Sequence, residues 1–303
     1  MKAIVTGADG FVGSYVVKEL LSSGYDVLAI DISEKPHRLE PNCHLQYFSH
    51  SIEDLSFLDQ FASNKAVDVF FHFAWRGSAG EERSDEIIQL KNALSSAACL
   101  RKAAELGIRR FVMAGTIMEY ETSQVVYAQG SRPGTPYIYG AGKTVAHEIM
   151  KPIANSLGID LVWAYITNAY GVGESSPRFL NTTLRKIICN EPLEFTSAVQ
   201  NYDFVYVTDV AKAFRLLGEK GKANRGYLIG SGDAKSLKDF ILEIVKELCP
   251  NREVIFGAVP YTGVMTPLED YSIEDIQNDC GFSPTISFRE GVRKTYEWLK
   301  GLE

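Results

Sequence analysis

The chain is short of cysteine, of net positive charge and of long apolar runs, and each shortage excludes a class of protein. Its five cysteines (Cys43, Cys99, Cys189, Cys249 and Cys280) are odd in number, widely spaced and never arranged as a CxxC pair. That pattern fits reduced thiols and excludes a disulfide framework or a cysteine zinc site. Lys and Arg number 31 against 38 Asp and Glu, a net charge of -7, which argues against an extended nucleic-acid surface but leaves room for a local basic pocket. No stretch approaches the ~20 apolar residues of a bilayer span. Met1 leads straight into a strand signal, so no signal peptide, no membrane partner and a cytoplasmic location are expected. His72 lies between aromatic residues with no carboxylate or cysteine at ligand spacing, so no metal site is assigned. Internal repeats and low-complexity tracts are missing too.

What is present begins at the N-terminus. Lys2-Ala3-Ile4-Val5-Thr6 is a short strand signal that ends in Gly7-Ala8-Asp9-Gly10-Phe11-Val12-Gly13. A helical pattern through Tyr15, Val16, Glu19, Leu20 and Leu21 follows and stops at Gly24, and a second strand over 26–30 ends in Asp31. Glycines allow a tight turn and close approach to a pyrophosphate, a helix N-terminus offers free N–H groups, and an acid about 20 residues on can accept from a ribose. Strand, glycine turn, helix, strand and acid in that order predict a dinucleotide-binding unit.

Further on, strand and helix signals alternate. Strands are predicted at 44–50, 67–74, 110–116 and 161–167, and helices at 53–64, 86–106 and through Tyr139. The near-continuous apolar character of 67–74 implies burial on both faces, as in a parallel sheet covered by helices. The fold class is therefore α/β, a Rossmann-like doubly wound parallel sheet with a smaller C-terminal substrate-binding lobe. The expected division is 1–164 with 199–222 returning to it as the cofactor domain, and 165–198 with 223–303 as the substrate lobe. With 303 residues at 46% hydrophobic content, the chain can bury more than one core.

Tyr139 and Lys143 stand four apart, a spacing that puts both on one helix face. They could be a packed ring beside a solvated amine. They could equally be an acid/base, because an ammonium one turn away favours the phenolate that proton transfer needs.

These motifs together resemble the extended short-chain dehydrogenase/reductase family, in its NAD-dependent nucleotide-sugar epimerase/dehydratase/reductase group. The resemblance rests on the loop Thr6 to Gly13, on Phe71-His72-Phe73-Ala74-Trp75, on Asn92, on Thr116 four residues before Tyr120, and on Tyr139 to Lys143. It extends through Asn168-Ala169-Tyr170-Gly171, Asp203 to Ala211 and Gly281-Phe282-Ser283-Pro284. It implies NAD as cofactor, a nucleotide-sugar substrate and a homodimer formed through the helices that carry Leu90, Leu94, Ala97, Ala98 and Ala104 and Val145, Ile149 and Ile153. In the implied roles, Gly7, Gly10, Phe11, Val12 and Gly13 hold the pyrophosphate and Asp31 with Ile32 the adenosine ribose. Ser51 and Ile52 meet the adenine, and Phe73, Ala74, Trp75, Asn92 and Thr167 line the rest of the cofactor site. Lys143 binds the nicotinamide ribose, Thr116, Tyr139 and Lys143 are catalytic, and Thr116, Asn168, Arg178 and Tyr202 contact the substrate. Asp31 repels a 2′-phosphate and favours NAD over NADP, although Lys35 and Arg38 stand nearby.

Three departures from the family pattern bear on the reaction. Ile117 and Met118 occupy the places where 4,6-dehydratases carry an acidic pair, so dehydration is disfavoured; Glu119 is shifted by one residue, on the opposite face of an extended segment. Tyr165 and Tyr202 replace arginines that grip a nucleotide diphosphate in relatives, so that either Arg178 or Arg185 takes the task or the nucleotide is absent from the substrate. The expected reaction is epimerisation of a nucleotide sugar at C4 through a transient 4-keto intermediate. The alternative is an NAD(P)H-dependent 4-ketoreductase of a nucleotide 4-keto-6-deoxy sugar. A redox-sensing regulator on the same fold would have no reason to keep Thr116, Tyr139 and Lys143 together.

Overall fold

A computed structural model describes residues 1–61, 67–260, 263 and 265–302. Seven parallel strands form its central sheet: β1 (Lys2–Thr6), β2 (Asp26–Asp31), β3 (Leu45–Ser49), β4 (Val69–His72), β5 (Arg110–Thr116), β6 (Asp160–Ile166) and, further along the chain, Arg225–Ile229. Their spatial order is β3-β2-β1-β4-β5-β6 with Arg225–Ile229 at the outer edge. The order reverses between β1 and β4, and a doubly wound sheet opens a ligand crevice at the carboxyl ends of those two strands.

Helices α1 (Phe11–Ser22), α2 (Glu86–Glu105), α3 (Met118–Val126), α4 (Ile138–Leu157), α5 (Phe179–Ile188) and α6 (Val207–Lys220) follow in turn. One face of the sheet packs Val16, Val17 and Leu20 of α1 and Val210, Phe214 and Leu217 of α6. The other packs Ala93, Ala97 and Leu100 of α2 and Ala146, Met150 and Ala154 of α4. Strands buried on both faces must be apolar at every position, which is why Ala3, Ile4 and Val5 run without alternation and are wholly buried.

The remaining strands are short: β7 (Asn168–Tyr170), β8 (Leu193–Phe195), β9 (Asn201–Tyr202), β10 (Phe204–Tyr206), β11 (the edge strand Arg225–Ile229), β12 (Lys235–Ser236) and β13 (Val254–Phe256). Helices α7 (Leu237–Leu248), α8 (Glu274–Cys280) and α9 (Phe288–Lys300) complete the described chain. Phe204, Phe240, Phe288, Leu184 and Leu299 form a separate core for this second lobe. The lobes interleave more than the expected division allows. β11 pairs with β6, and Ile276 and Phe282 join the core beneath α6, so the sheet domain reclaims chain beyond residue 222.

Two other expectations differ. The helix predicted over 53–64 is a 3-10 helix over Ser56–Phe61, and the segment from 62 to 64 lies outside the described residues. Ser51 Oγ accepts from Glu53 N and Asp54 Oδ1 from Ser56 N; such local side-chain bonds offer the backbone an alternative to the α-helix. The segment after Thr116, read as extended, is helix α3, with Ile117 at its N-cap. Among the described residues no helix is long and apolar enough to cross a membrane.

Candidate active site

The crevice at the switch point is a cavity of about 660 Å3 that opens into a second chamber of about 310 Å3. The residues assigned from the sequence line one or both, except Arg185. Gly7, Gly10, Phe11, Val12, Gly13, Asp31, Ile32, Ser51, Ile52, Phe73, Ala74, Trp75, Asn92, Lys143 and Thr167 line the larger cavity. Asn168 and Tyr202 line the smaller. Thr116, Tyr139 and Arg178 lie on the wall shared by the two.

The larger cavity is built for a dinucleotide. Gly7 ends β1 at φ 66°, and a Cβ there would stand 2.6 Å from Ala74 N, so only glycine lets the ends of β1 and β4 meet. A Cβ on Gly13 would collide with the Gly7 carbonyl. Helix α1 therefore starts against the turn with Gly10 as its N-cap and no side chain bonded across its first amides. Those amides face the cavity as donors for a pyrophosphate. Asp31 is pre-oriented: Oδ2 accepts from Asp9 N at 2.9 Å and Oδ1 from Ile32 N at 2.8 Å. Asp9 in turn holds the backbone of His37 and Arg38. Arg38 points away from Asp31, donating Nη1 to the Gly173 carbonyl at 2.7 Å, and Lys35 is exposed. Among the described residues, neither Lys35 nor Arg38 is thus aimed at a ribose 2′-phosphate, and the donor set fits NAD.

Asn92 lines the larger cavity and also braces it. Its amide clasps the backbone of Arg76, Oδ1 accepting from N at 3.0 Å and Nδ2 donating to O at 2.7 Å. It shapes the cavity wall through that loop.

Tyr139 and Lys143 are set by glycines between them. A Cβ on Gly140 would strike Thr122 Oγ1, and one on Gly142 would stand 2.8 Å from Gln89 Cβ. Helix α4 can therefore lie tightly between α3 and α2, and Tyr139 and Lys143 are both almost fully buried. Lys143 Nζ donates to the Ala114 carbonyl at 2.8 Å and sits 3.7 Å from the Trp75 ring centroid. Trp75 is itself braced by Gln89 Oε1 at 2.7 Å. Burial pulls the Lys143 ammonium down to about 7, opposed by the charge of Glu119.

The tuning of Tyr139 departs from the sequence reading. Burial raises its pKa, and the charges that oppose this are Arg83 and then Arg178; Thr116 hydrogen-bonds the phenol and lowers it further. Arg83 lies with its guanidinium 4.1 Å from the centroid of the Tyr139 ring, a cation against a π face. The ammonium expected to favour the phenolate is one turn away on the same helix, but the cation on the ring comes from the 3-10 helix Glu81–Ser84. Nothing in the polar run Glu81-Glu82-Arg83-Ser84 distinguishes it from a solvated loop.

Glu119 is the second surprise. It is buried in the first turn of α3, and Oε1 accepts from Thr116 N at 2.9 Å and Trp163 Nε1 at 3.1 Å. His147 stacks on Trp163 at 4.1 Å, with Nδ1 3.7 Å from Glu119 Oε2. The carboxylate thus lies beneath Thr116, fixing its backbone, while Met118 faces the chamber. Tyr165 points to His147, its hydroxyl 3.1 Å from Nδ1. Tyr202 stacks on Phe204 in the chamber wall, and Arg185 reaches the Ser175 carbonyl at 3.5 Å. His72, between Thr6 Oγ1 at 2.7 Å and Ser96 Oγ at 2.9 Å, is pushed down to about 3 by burial and stays neutral.

The buried lysine gives a pH signature. Its folded pKa of about 7 lies below the ordinary 10.5, so the unfolded chain binds more protons between those values and the cofactor-free fold gains stability as pH rises through that window. Lys143→Met lacks the gain. In thermal melts, the Tm difference between wild type and variant should move in the wild type's favour from about pH 7 to 10; a flat difference would mean that Lys143 titrates normally.

Comparison with known proteins agrees with this geometry. The model of the "NAD dependent epimerase/dehydratase family" matches residues 3–230. The chain is 28% identical to a putative UDP-glucose 4-epimerase of Methanocaldococcus jannaschii, over 98% of both chains. It is 31% identical to the dTDP-6-deoxy-L-talose 4-dehydrogenase (NAD(+)) of Aggregatibacter actinomycetemcomitans, over 82% of this chain and 90% of that one. The structure of UDP-glucose 4-epimerase with UDP-glucose from Thermotoga maritima superposes with a TM-score of 0.82 over all of both chains at 23% identity, a likeness of fold.

Proposed function

Because the chain belongs to the NAD-dependent epimerase/dehydratase family, we propose that it is a nucleotide-sugar 4-epimerase that works through a transient 4-ketone. The observation that carries this reading is the set of proton-moving groups at the shared wall. Tyr139 and its partner Thr116 stand there, while Ile117 and Met118 offer none and the Glu119 carboxylate is bonded beneath Thr116. Ile117 and Met118 put no second acid or base beside Thr116, and the carboxylate on the shared wall, Glu174, is engaged by Ser176 N and Arg178, so the site suits oxidation and reduction of one carbinol better than loss of water.

The Phe11 and Val12 amides at the start of α1, Asp31 and Lys143 would hold NAD, which would supply a hydride acceptor able to return the hydride. Tyr139, whose phenolate form burial disfavours and the nearby arginines favour, takes the proton of the sugar hydroxyl and later gives it back. Arg83 and Arg178 stabilise that phenolate, and Thr116 holds the oxygen on which charge develops. Met118, Tyr202 and Phe204 line the smaller chamber, where the planar ketone turns to present its other face. Asp31, unaccompanied by an aimed cation, favours a captive NAD that is recycled within each turnover.

The purified protein, without added NADH, should interconvert UDP-glucose and UDP-galactose or the corresponding pair on another nucleotide. Proton NMR of the anomeric region reads both sugars at once. Stoichiometric NADH oxidation with a 4-keto-6-deoxy sugar nucleotide, and no interconversion, would overturn the epimerase in favour of a 4-ketoreductase. The 31% identity to a sugar-nucleotide 4-dehydrogenase favours that second reading. Exposed Leu90, Leu94 and Ile149 on the adjoining α2 and α4 support pairing of two copies, which sedimentation equilibrium tests directly.

A further inference from the structure

The smaller chamber holds more positive charge than Tyr139 needs. Arg83 comes from the 3-10 helix ahead of α2 and Arg178 from the residue before α5, so the two reach one chamber from opposite lobes. Both donate to a single acceptor, the Ser78 carbonyl, Arg83 Nη1 at 2.8 Å and Arg178 Nη2 at 3.5 Å. Burial lowers the pKa of Arg83, and the charge of Arg178 lowers it further. Two guanidiniums are therefore held side by side against their mutual repulsion.

The neighbouring carboxylates compensate this pair poorly. Glu174 Oε2 lies 3.9 Å from Arg178 Nε, and its other oxygen accepts from Ser176 N at 2.8 Å. Glu121 faces Arg83, yet burial pushes its carboxyl up to about 7, so near neutrality it is charged only part of the time. The Arg178 side chain is 45% exposed and Arg83 is partly buried, so the cost of an incomplete counter-charge falls mainly on Arg83, and paired guanidiniums match the geometry of carboxylate and phosphate oxygens. Tyr202 stands on the same wall in a place where a third cation would have made the repulsion worse.

We propose that Arg83 and Arg178 together seat an oxyanion of the substrate beside Tyr139. The inference rests on the nucleotide-sugar reading of this chamber and adds to it the residues that grip the charge. The ligand class is a sugar derivative with a negatively charged group close to the reacting carbon. That group is either the diphosphate of the nucleotide or a carboxylate on the sugar, and both offer the same oxygen chemistry to the two forks.

Calorimetric titration of the NAD-loaded protein tests this with uridine, inorganic pyrophosphate, UDP-glucose and UDP-glucuronic acid as probes. Methionine keeps the apolar stem of each arginine, so the proteins compared are wild type, Arg83→Met and Arg178→Met, with Arg83→Lys as a charge-retaining control. If the diphosphate is seated, either methionine variant weakens pyrophosphate and UDP-glucose by about 10- to 100-fold. Uridine is unaffected, and Arg83→Lys recovers part of the loss. If a sugar carboxylate is seated, UDP-glucuronic acid binds wild type tighter than UDP-glucose by a similar factor, and Arg83→Met abolishes the advantage. Binding that is equal in wild type and both methionine variants, or a wild type that binds no charged probe better than uridine, overturns the proposal. Arginine-dependent binding without sugar interconversion sinks the epimerase reading alone, whereas interconversion with arginine-independent binding sinks this inference alone.

Discussion

Tyr139→Phe is expected to lower kcat by about 10^2- to 10^4-fold, the usual range for removing a positioned acid/base, while NAD stays bound with little change in affinity. The phenylalanine ring keeps the edge contact with Trp75 at 6.4 Å and the cation face offered to Arg83, so the fold and the cavity wall survive. Only the oxygen that meets Thr116 is lost. The check is turnover at saturating sugar nucleotide beside cofactor binding followed by tryptophan fluorescence, for which Trp75 against Lys143 is a natural reporter. A variant that turned over normally would sink any mechanism in which Tyr139 moves the proton. A variant that lost NAD as well as turnover would show that the ring is a structural strut.

Gly7→Val should be nearly as damaging, through the cofactor instead of the chemistry. The position has φ 66°, where a β-branched residue is strained by about 1–3 kcal/mol. Its Cβ would also meet Ala74 N at 2.6 Å and the Phe73 carbonyl carbon at 2.8 Å. Both neighbours are backbone, so relief requires the ends of β1 and β4 to part and the pyrophosphate turn to move with them. We expect NAD affinity to fall by at least about 100-fold, with a drop in Tm of several degrees, as for a strain of this size. Gly10→Ala is the graded comparison. That Cβ meets only the Gly7 carbonyl, at 3.1 Å, with an ordinary φ of -68°, and its effect should stay below about tenfold. Equal losses at the two positions would refute the argument from backbone approach.

Much of this fold could be read from the residues because its signals are local. A nearly all-apolar strand such as Val69–His72 declares burial on both faces, and a glycine turn followed by helix, strand and Asp31 declares the cofactor crevice. Helix α3 stayed hidden because its buried positions are Glu119 and Thr122, polar residues at helical spacing that invert the apolar stripe by which an amphipathic helix is recognised. Glu119 is held by the Thr116 amide and the Trp163 indole, neither of them near enough in pattern to announce a partner. Arg83 was illegible for a different reason. Its polar surroundings read as a solvated loop, and only the folded chain carries it 56 residues along the sequence onto the face of Tyr139. Asn92 shows the converse: the position is one the family pattern marks, while its two hydrogen bonds both go to the backbone of Arg76.

The bond from Arg38 to the Gly173 carbonyl ties a loop of the sheet domain to the second lobe, and a Cβ on Gly173 would lie 4.0 Å from the Phe11 ring of the pyrophosphate turn. It is a tie between the lobes beside the pyrophosphate turn, anchored at its near end by Asp9. A tie that acted as a latch there would slow exchange of a bound dinucleotide in both directions. For a catalyst that must trade spent cofactor for fresh after every cycle, its opening rate becomes a ceiling on throughput. For one that lends a hydride and takes it back, the same latch is free of kinetic penalty and turns a diffusible coenzyme into a resident part of the protein.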